Sequence, residues 1–206
     1  MRKVLNVGGN SKSIPIPKYY ADFEHLILDI DPRGEPDILC DARALATRPP
    51  AEFDAIYCSH NLEHFYRHDV PRVLGGFHHV LTAEGFAEIR VPDLELVMKT
   101  AVEKKLDLED VLYTSGAGAI TVRDVFYGFG LEIERSGQDF YAHKTGFTRK
   151  SLGQALLQSG FRYVLFRPGR AYEILAYGFK NNPTPEHEAL LDFSTDKVPR
   201  AVPAAS

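Results

Sequence analysis

His60, Glu63 and His64 form an H-x-x-E-H pattern with Ser59 and Asn61 beside them, so one short stretch concentrates groups that bind hydrogen, protons or metals. Two histidines four apart on a helix can hold one metal ion with the glutamate as general base, the chemistry of a zinc hydrolase. That pattern belongs on a long helix. Here it follows an apolar run directly, with His68 and His143 as the candidates for a distant third ligand, and the expectation is no bound metal. A histidine also titrates near neutrality, so His60 or His143 could take a proton from an acceptor hydroxyl. The bland alternative is that Leu62 packs while Glu63 and His64 bond to neighbouring groups and order a turn. Elsewhere, ligand-gripping residue types fall at the ends of apolar runs. Gly8 and Gly9 lack a Cβ and let a ligand approach the backbone, or simply make a tight turn. Asp29 and Asp31 could accept hydroxyl hydrogen bonds or serve as partners of Arg33, and Asp41 could read a ligand amine or cap the following turn.

The elements that must position these groups alternate along the chain. Short strands are expected at Lys3 to Val7, His25 to Ile30, Asp37 to Cys40, Phe53 to Cys58 and Phe86 to Val91. Phe53 to Cys58 reads as a strand buried on both faces that delivers the histidine cluster to the carboxyl edge of a sheet, where ligands bind in open α/β folds. Between the fourth and fifth strands, Val70, Val73, Leu74, Phe77, Val80 and Leu81 keep helical spacing, with Asp69 placed to cap and Pro71 in the first turn. Strands separated by such helices imply a parallel sheet with right-handed crossovers. Pro92-Asp93 opens another helix, with Leu94, Val97, Met98, Ala101 and Val102 on one face. From Asp107 to Ala142 periodicity fades among glycines and aromatics, which reads as a loop-rich insertion and a candidate lid over 107–143. Its aromatics from Phe126 to Tyr141 could equally plug a small core of its own. Thr148 caps a helix stopped by Gly160, and Arg162 to Phe166 and Tyr172 to Phe179 read as a closing antiparallel pair. A short helix from Glu186 to Phe193 lies in a tail, 181–206, expected to be partly disordered.

Composition narrows the class. The chain has 206 residues, 44% hydrophobic and 25% charged, enough for one good core in a single domain. A net charge of -4 argues against a nucleic-acid partner. No run approaches the roughly 18 apolar residues of a membrane span, and the amino terminus lacks the pattern of a signal peptide. Cys40 and Cys58 in apolar runs suggest reduced thiols and a cytoplasmic location.

Six segments together carry a resemblance. VLNVGG, LILDIDP, DILCDARAL, FDAIYCSHNLEHF and VLTAEGFAEIRVPDL are similar, in order, to the signature segments of class I S-adenosylmethionine-dependent methyltransferases. The S-H-x-L-E-H and V-P-D endings, and HKTGFTRKSLGQALLQSGF, resemble one bacterial branch. The resemblance runs from about Val4 to Phe179. It implies an α/β fold: a doubly wound, mostly parallel, Rossmann-like sheet of seven strands with an antiparallel last strand.

The resemblance also implies roles. Gly8 and Gly9 would approach S-adenosylmethionine, Asp29 would hold its ribose with Asp31 as substitute, and Asp41 with the backbone of Ala42 would read its adenine. Ser59 and His60 would face the methionine end. Asn6 stands where the family commonly has an acid before the glycines, and the third glycine is missing. Ile14-Pro15-Ile16-Pro17 prevents a regular first helix, which disfavours a pyrophosphate cofactor more than a sulfonium. The chain opens on its first strand, without the helices that cover the cofactor in many relatives, so the insertion is expected to recognise the acceptor. Methyl transfer to a small-molecule or glycan-like acceptor is the expectation. A catalytically silent binding or scaffold protein is the alternative, and a zinc hydrolase the second.

Overall fold

The computed structural model describes residues 1–116 and 118–194. The strands β1 (Lys3–Val7), β2 (Glu24–Asp29), β3 (Ile38–Leu39), β4 (Phe53–Ser59) and β5 (Leu81–Pro92) lie where apolar runs end in turn residues. Helix α1 (Val70–Val80) buries Val70, Val73, Leu74, Phe77 and Val80 of the expected stripe, but Leu81, also counted in it, turns extended and opens β5. Helix α2 (Leu94–Lys104) is capped by Asp93, which accepts from Leu96 N. Then come the hairpin β6 (Val111–Ser115) and β7 (Gly118–Thr121), helices α3 (Val122–Tyr127), α4 (Gly130–Ser136) and α5 (Arg149–Gln158), strands β8 (Tyr163–Pro168) and β9 (Glu173–Phe179), and helix α6 (Pro185–Leu191).

The main sheet has seven strands in the order β3-β2-β1-β4-β5-β9-β8. All neighbours are parallel except β9, which runs antiparallel to both β5 and β8. From β1 the chain builds outward through β2 and β3 on one side, then crosses back to place β4 on the other, so the carboxyl ends of β1 and β4 flank a crevice. On one face Ile56 and Cys58 of β4 pack with α1 and with Leu152 and Leu156 of α5. On the other, Ala55 joins Tyr20, Phe23, Phe86, Tyr177, Phe179 and Leu191. Prolines leave the β1–β2 crossover as a 3-10 turn at Lys18–Tyr20, and the Tyr20 ring covers the sheet where a helix would otherwise lie.

Three expectations need correction. Asp69 makes no side-chain cap on α1; its carboxylate turns to Arg43 at 3.4 Å instead. In α2 the apolar face is covered only in part: Val97 is buried, but Met98 and Val102 are exposed, because the adjoining cluster of Leu112, Ile120, Val122 and Val125 meets one side of the helix. The segment 107–143 is also more regular than its sequence suggests, holding β6, β7, α3 and α4, with Phe126 and Phe129 packed into that cluster. Of the tail, α6 packs Leu191 onto the sheet. The disorder expected beyond Ser194 concerns residues outside those described. Among the described residues no helix is long and apolar enough to cross a membrane.

Candidate functional site

Two clefts meet at His60, the residue that follows β4. The first opens beyond the carboxyl ends of β1, β2 and β4. Gly8, Asp29, Asp31, Asp41, Ala42 and His60 line it, together with Cys40, Asn61, His64, Tyr141 and Lys144. The second lies on the other side of His60, where Ser59, Arg90, His143 and Glu173 meet Tyr113 and Phe129 of the 107–143 segment.

Gly8 is built for its place. Its φ is +74°, and a Cβ there would lie 2.1 Å from Asn61 Nδ2, so a side chain is excluded by backbone conformation and by contact. Gly9 and Asn6 stand behind the wall rather than on it. A Cβ on Gly9 would meet Asn6 Nδ2 at 2.3 Å, and buried Asn6 lies 3.2 Å from His25 Nε2.

The three aspartates are differently occupied. Asp29 accepts backbone hydrogen bonds from Asn10 at 3.0 Å and Asp31 at 2.9 Å, which fixes the carboxylate yet leaves acceptor capacity on both oxygens. Asp31 is gripped by Arg33 through both oxygens, which holds its pKa below the usual carboxylate range. Asp41 is likewise paired with Arg43, whose side chain lowers its pKa while its backbone N–H takes the cap bond. Asp29 is therefore the best placed of the three to receive a ligand's hydroxyls. Asn61 Oδ1 is buried at the cleft wall and has no hydrogen-bond partner among the described residues. An acceptor stranded this way costs free energy unless a ligand donor reaches it.

His60 holds a left-handed backbone conformation, φ 49°, while its N–H bonds to Arg90 O at 2.9 Å. This turns the imidazole outward between two carboxylates, Glu173 Oε2 at 3.1 Å from Nε2 and Glu63 Oε1 at 3.4 Å from Nδ1. Desolvation opposes charge on the ring, but Glu173 and Glu63 outweigh it and raise its pKa above the ordinary histidine range. Behind Glu173 runs a polar chain into the protein. Arg90 bonds Glu173 Oε1 at 3.3 Å and Glu88 Oε1 at 2.8 Å, and the hydroxyls of Tyr19 and Tyr20 donate to Glu88 Oε2 at 2.6 and 2.9 Å. Glu88 is fully buried, which raises its pKa despite those donors.

Seen against expectation, one cleft gathers Gly8, Asp29, Asp31, Asp41, Ala42 and His60, while Ser59 and His143 belong with His60 to the other. Glu173, Arg90 and Lys144 were not singled out by sequence, whereas Asn61 was named as part of the histidine stretch. Arg90 reaches His60 through the pairing of β4 with β5, and Glu173 through that of β5 with β9, which no local pattern announces.

No protein-family model and no curated protein matches the sequence. Solved structures do match its fold. An S-adenosylmethionine-dependent methyltransferase from Archaeoglobus fulgidus superposes with a TM-score of 0.54 at 15% identity, covering 87% of this chain and 86% of the other. One from Thermotoga maritima, described as a possible histamine N-methyltransferase, gives 0.52 at 13%, covering 87% and 82%. A third, from Methanosarcina mazei, gives 0.50 at 15%, covering 86% and 90%. At these identities the likeness establishes a shared α/β fold.

Proposed function

We propose that this chain transfers a methyl group from S-adenosylmethionine to a hydroxyl of a small-molecule or glycan-like acceptor. The observation that carries the reading is the cleft at the sheet's switch point, where Gly8, Asp29, Asp41 and Ala42 converge on His60. It supports a nucleoside cofactor with its reacting end toward the second cleft. S-adenosylmethionine supplies a methyl group already activated by a cationic sulfur.

The residues present fit that group. Asp29 would hold the ribose hydroxyls, Asp41 and the Ala42 backbone would meet the adenine edge, and Asn61 would border the methionine end from the wall beside Gly8. Asn6 and Gly9 would act from behind, by fixing the loop that Gly8 presents. The protein's main contribution is then alignment of acceptor with donor and exclusion of water. Ser59 and His60 stand where the clefts join, and Tyr113 and Phe129 close the second cleft from the 107–143 segment. Arg90 and Arg170 face Asp124 and Glu173 there, a mixed lining that suits a neutral hydroxylated acceptor better than nucleic acid.

His60 is the proton acceptor of this proposal. In the resting pairing its ring is a cation; to act as a base it first passes its Nε2 proton to Glu173 Oε2, 3.1 Å away, and the bared nitrogen then takes the proton of the acceptor hydroxyl. His143, whose pKa burial lowers, is the second histidine at the acceptor cleft. Methyl-labelled S-adenosylmethionine, offered with a panel of hydroxylated metabolites and glycans, tests the reading. Label should pass to an acceptor, and His60→Ala should lower kcat by about 100-fold or more. Cofactor binding without label transfer to any hydroxyl compound would favour a silent binding protein, and unchanged turnover in His60→Ala would remove the base.

A further inference from the structure

Glu63 is the most unusual side chain in the molecule. It is 1% exposed, and neither carboxylate oxygen makes a hydrogen bond among the described residues. The nearest cation, His60 Nδ1, stands 3.4 Å from one oxygen, beyond the range of a charge-assisted hydrogen bond. A buried carboxylate with one cation at this distance and no hydrogen bond remains costly unless further positive charge reaches it.

Two more histidines face it, and the hydrogen bonds fix which nitrogen each presents. His143 Nδ1 is 2.9 Å from Val125 O, and His64 Nδ1 is 3.1 Å from Ala142 O. A carbonyl can only accept, so both rings carry hydrogen on Nδ1, and the neutral ring presents a bare Nε2 lone pair. His143 Nε2 lies 4.0 Å from Glu63 Oε1, and the His64 and His143 rings are 5.0 Å apart. One ligand atom from each of the three residues lies within 4.8 Å of the others. A bare His143 Nε2 turned toward that carboxylate repels it when nothing sits between. Histidines tied through Nδ1 to backbone carbonyls are also how metal-binding imidazoles are commonly oriented.

We propose that Glu63, His64 and His143 form a binding site for a divalent first-row transition-metal ion. Two imidazoles and one carboxylate suit such an ion better than calcium or magnesium, and leave coordination positions open. Ligands of a metal bound at about 2.1 Å stand roughly 3 to 3.5 Å apart, so the three groups close in by about 1 Å on binding. His64 lines the first cleft and His143 the second, which places the ion in the wall between them. The site also spans two parts of the chain, the turn after β4 and the end of the 107–143 segment, already clamped together by Lys144 N and Thr145 N donating to Glu63 O. This set differs from the H-x-x-E-H reading of the sequence. His60 is not a ligand, Glu63 is a ligand rather than a base, and His143 completes the set.

The test is calorimetric titration of chelator-treated full-length protein with Zn2+, without S-adenosylmethionine, and the absorption spectrum of the Co2+ form. One Zn2+ per chain should bind, and Co2+ should show nitrogen and oxygen coordination without thiolate charge transfer. His64→Gln and His143→Gln should each weaken Zn2+ at least tenfold, since even groups behind the ligands contribute 10- to 100-fold. His68→Gln, altering an exposed histidine outside the set, should change nothing. Should a variant fail to fold, the wild-type stoichiometry and Co2+ spectrum still decide. No stoichiometric binding, thiolate bands, or less than tenfold weakening in either folded variant overturns the site. Because cofactor is absent, the outcome is independent of the methyl-transfer reading.

Discussion

Asp41 shows how one residue can be legible in position and hidden in state. Its place after β3, before a turn, marked it for the cleft, and it lies there. What the sequence did not reveal is that Arg43, two residues on, occupies both of its oxygens. Arg33 does the same to Asp31, leaving Asp29 with its backbone donors and spare lone pairs. Such rivalry is set by rotamers, which residue spacing does not determine. The Asp41 pair has a pH signature. Arg43 depresses the folded-state pKa, so the stabilisation is present above the unfolded value of about 3.9 and is lost as pH falls through the lower folded value. Asp41→Asn keeps the capping oxygen and removes the charge. With Arg43 partly in solvent, the loss at pH 7 should be about 1 kcal/mol or less, shrinking as pH falls below the unfolded value of about 3.9 in urea unfolding series. A loss unchanged at low pH would show that the pair is not its source.

Strand β5 makes the corresponding point for an element. Its apolar run was enough to place it, and Ala87, Ile89 and Val91 face the α1 side as alternation demands. Glu88 and Arg90 point to the opposite face, where a charge looks out of place until the chain is folded. Their partners, Tyr19, Tyr20 and Glu173, come from the β1–β2 crossover and from β9, and Tyr177 of β9 joins through the Tyr19 hydroxyl. Local pattern finds a strand, but the company its side chains keep is decided by distant strands. Helix α1 was legible down to its buried stripe because the sheet covers that whole face, whereas α2 was not, because its partner cluster covers part of one. Glu88→Gln should test the polar chain. Removing one charge from a buried, multiply bonded group typically costs 3 to 5 kcal/mol, and with Arg90 still paired to Glu173 the expectation is about 3 kcal/mol by chemical denaturation. A change below about 1 kcal/mol would mean that the network contributes little to folding.

At the scale of the molecule, the seven-stranded topology brings residues from β1, β2 and β4 to one crevice and, through the antiparallel β9, adds Glu173 to the far side of His60. The first part could be read from strand ends, since each ligand-gripping residue sits where its own apolar run stops. The second could not, because it depends on β9 lying between β5 and β8 and on the fold of the 107–143 segment. The central claim is that the crevice binds S-adenosylmethionine through Asp29. It is tested most directly by calorimetric titration of wild type and Asp29→Ala with S-adenosylhomocysteine, with unfolding midpoints measured in parallel. Micromolar binding to wild type that weakens by about 1 to 3 kcal/mol in a folded Asp29→Ala protein is the predicted result. Absence of binding to wild type, or equal affinity in the two proteins, would contradict the account.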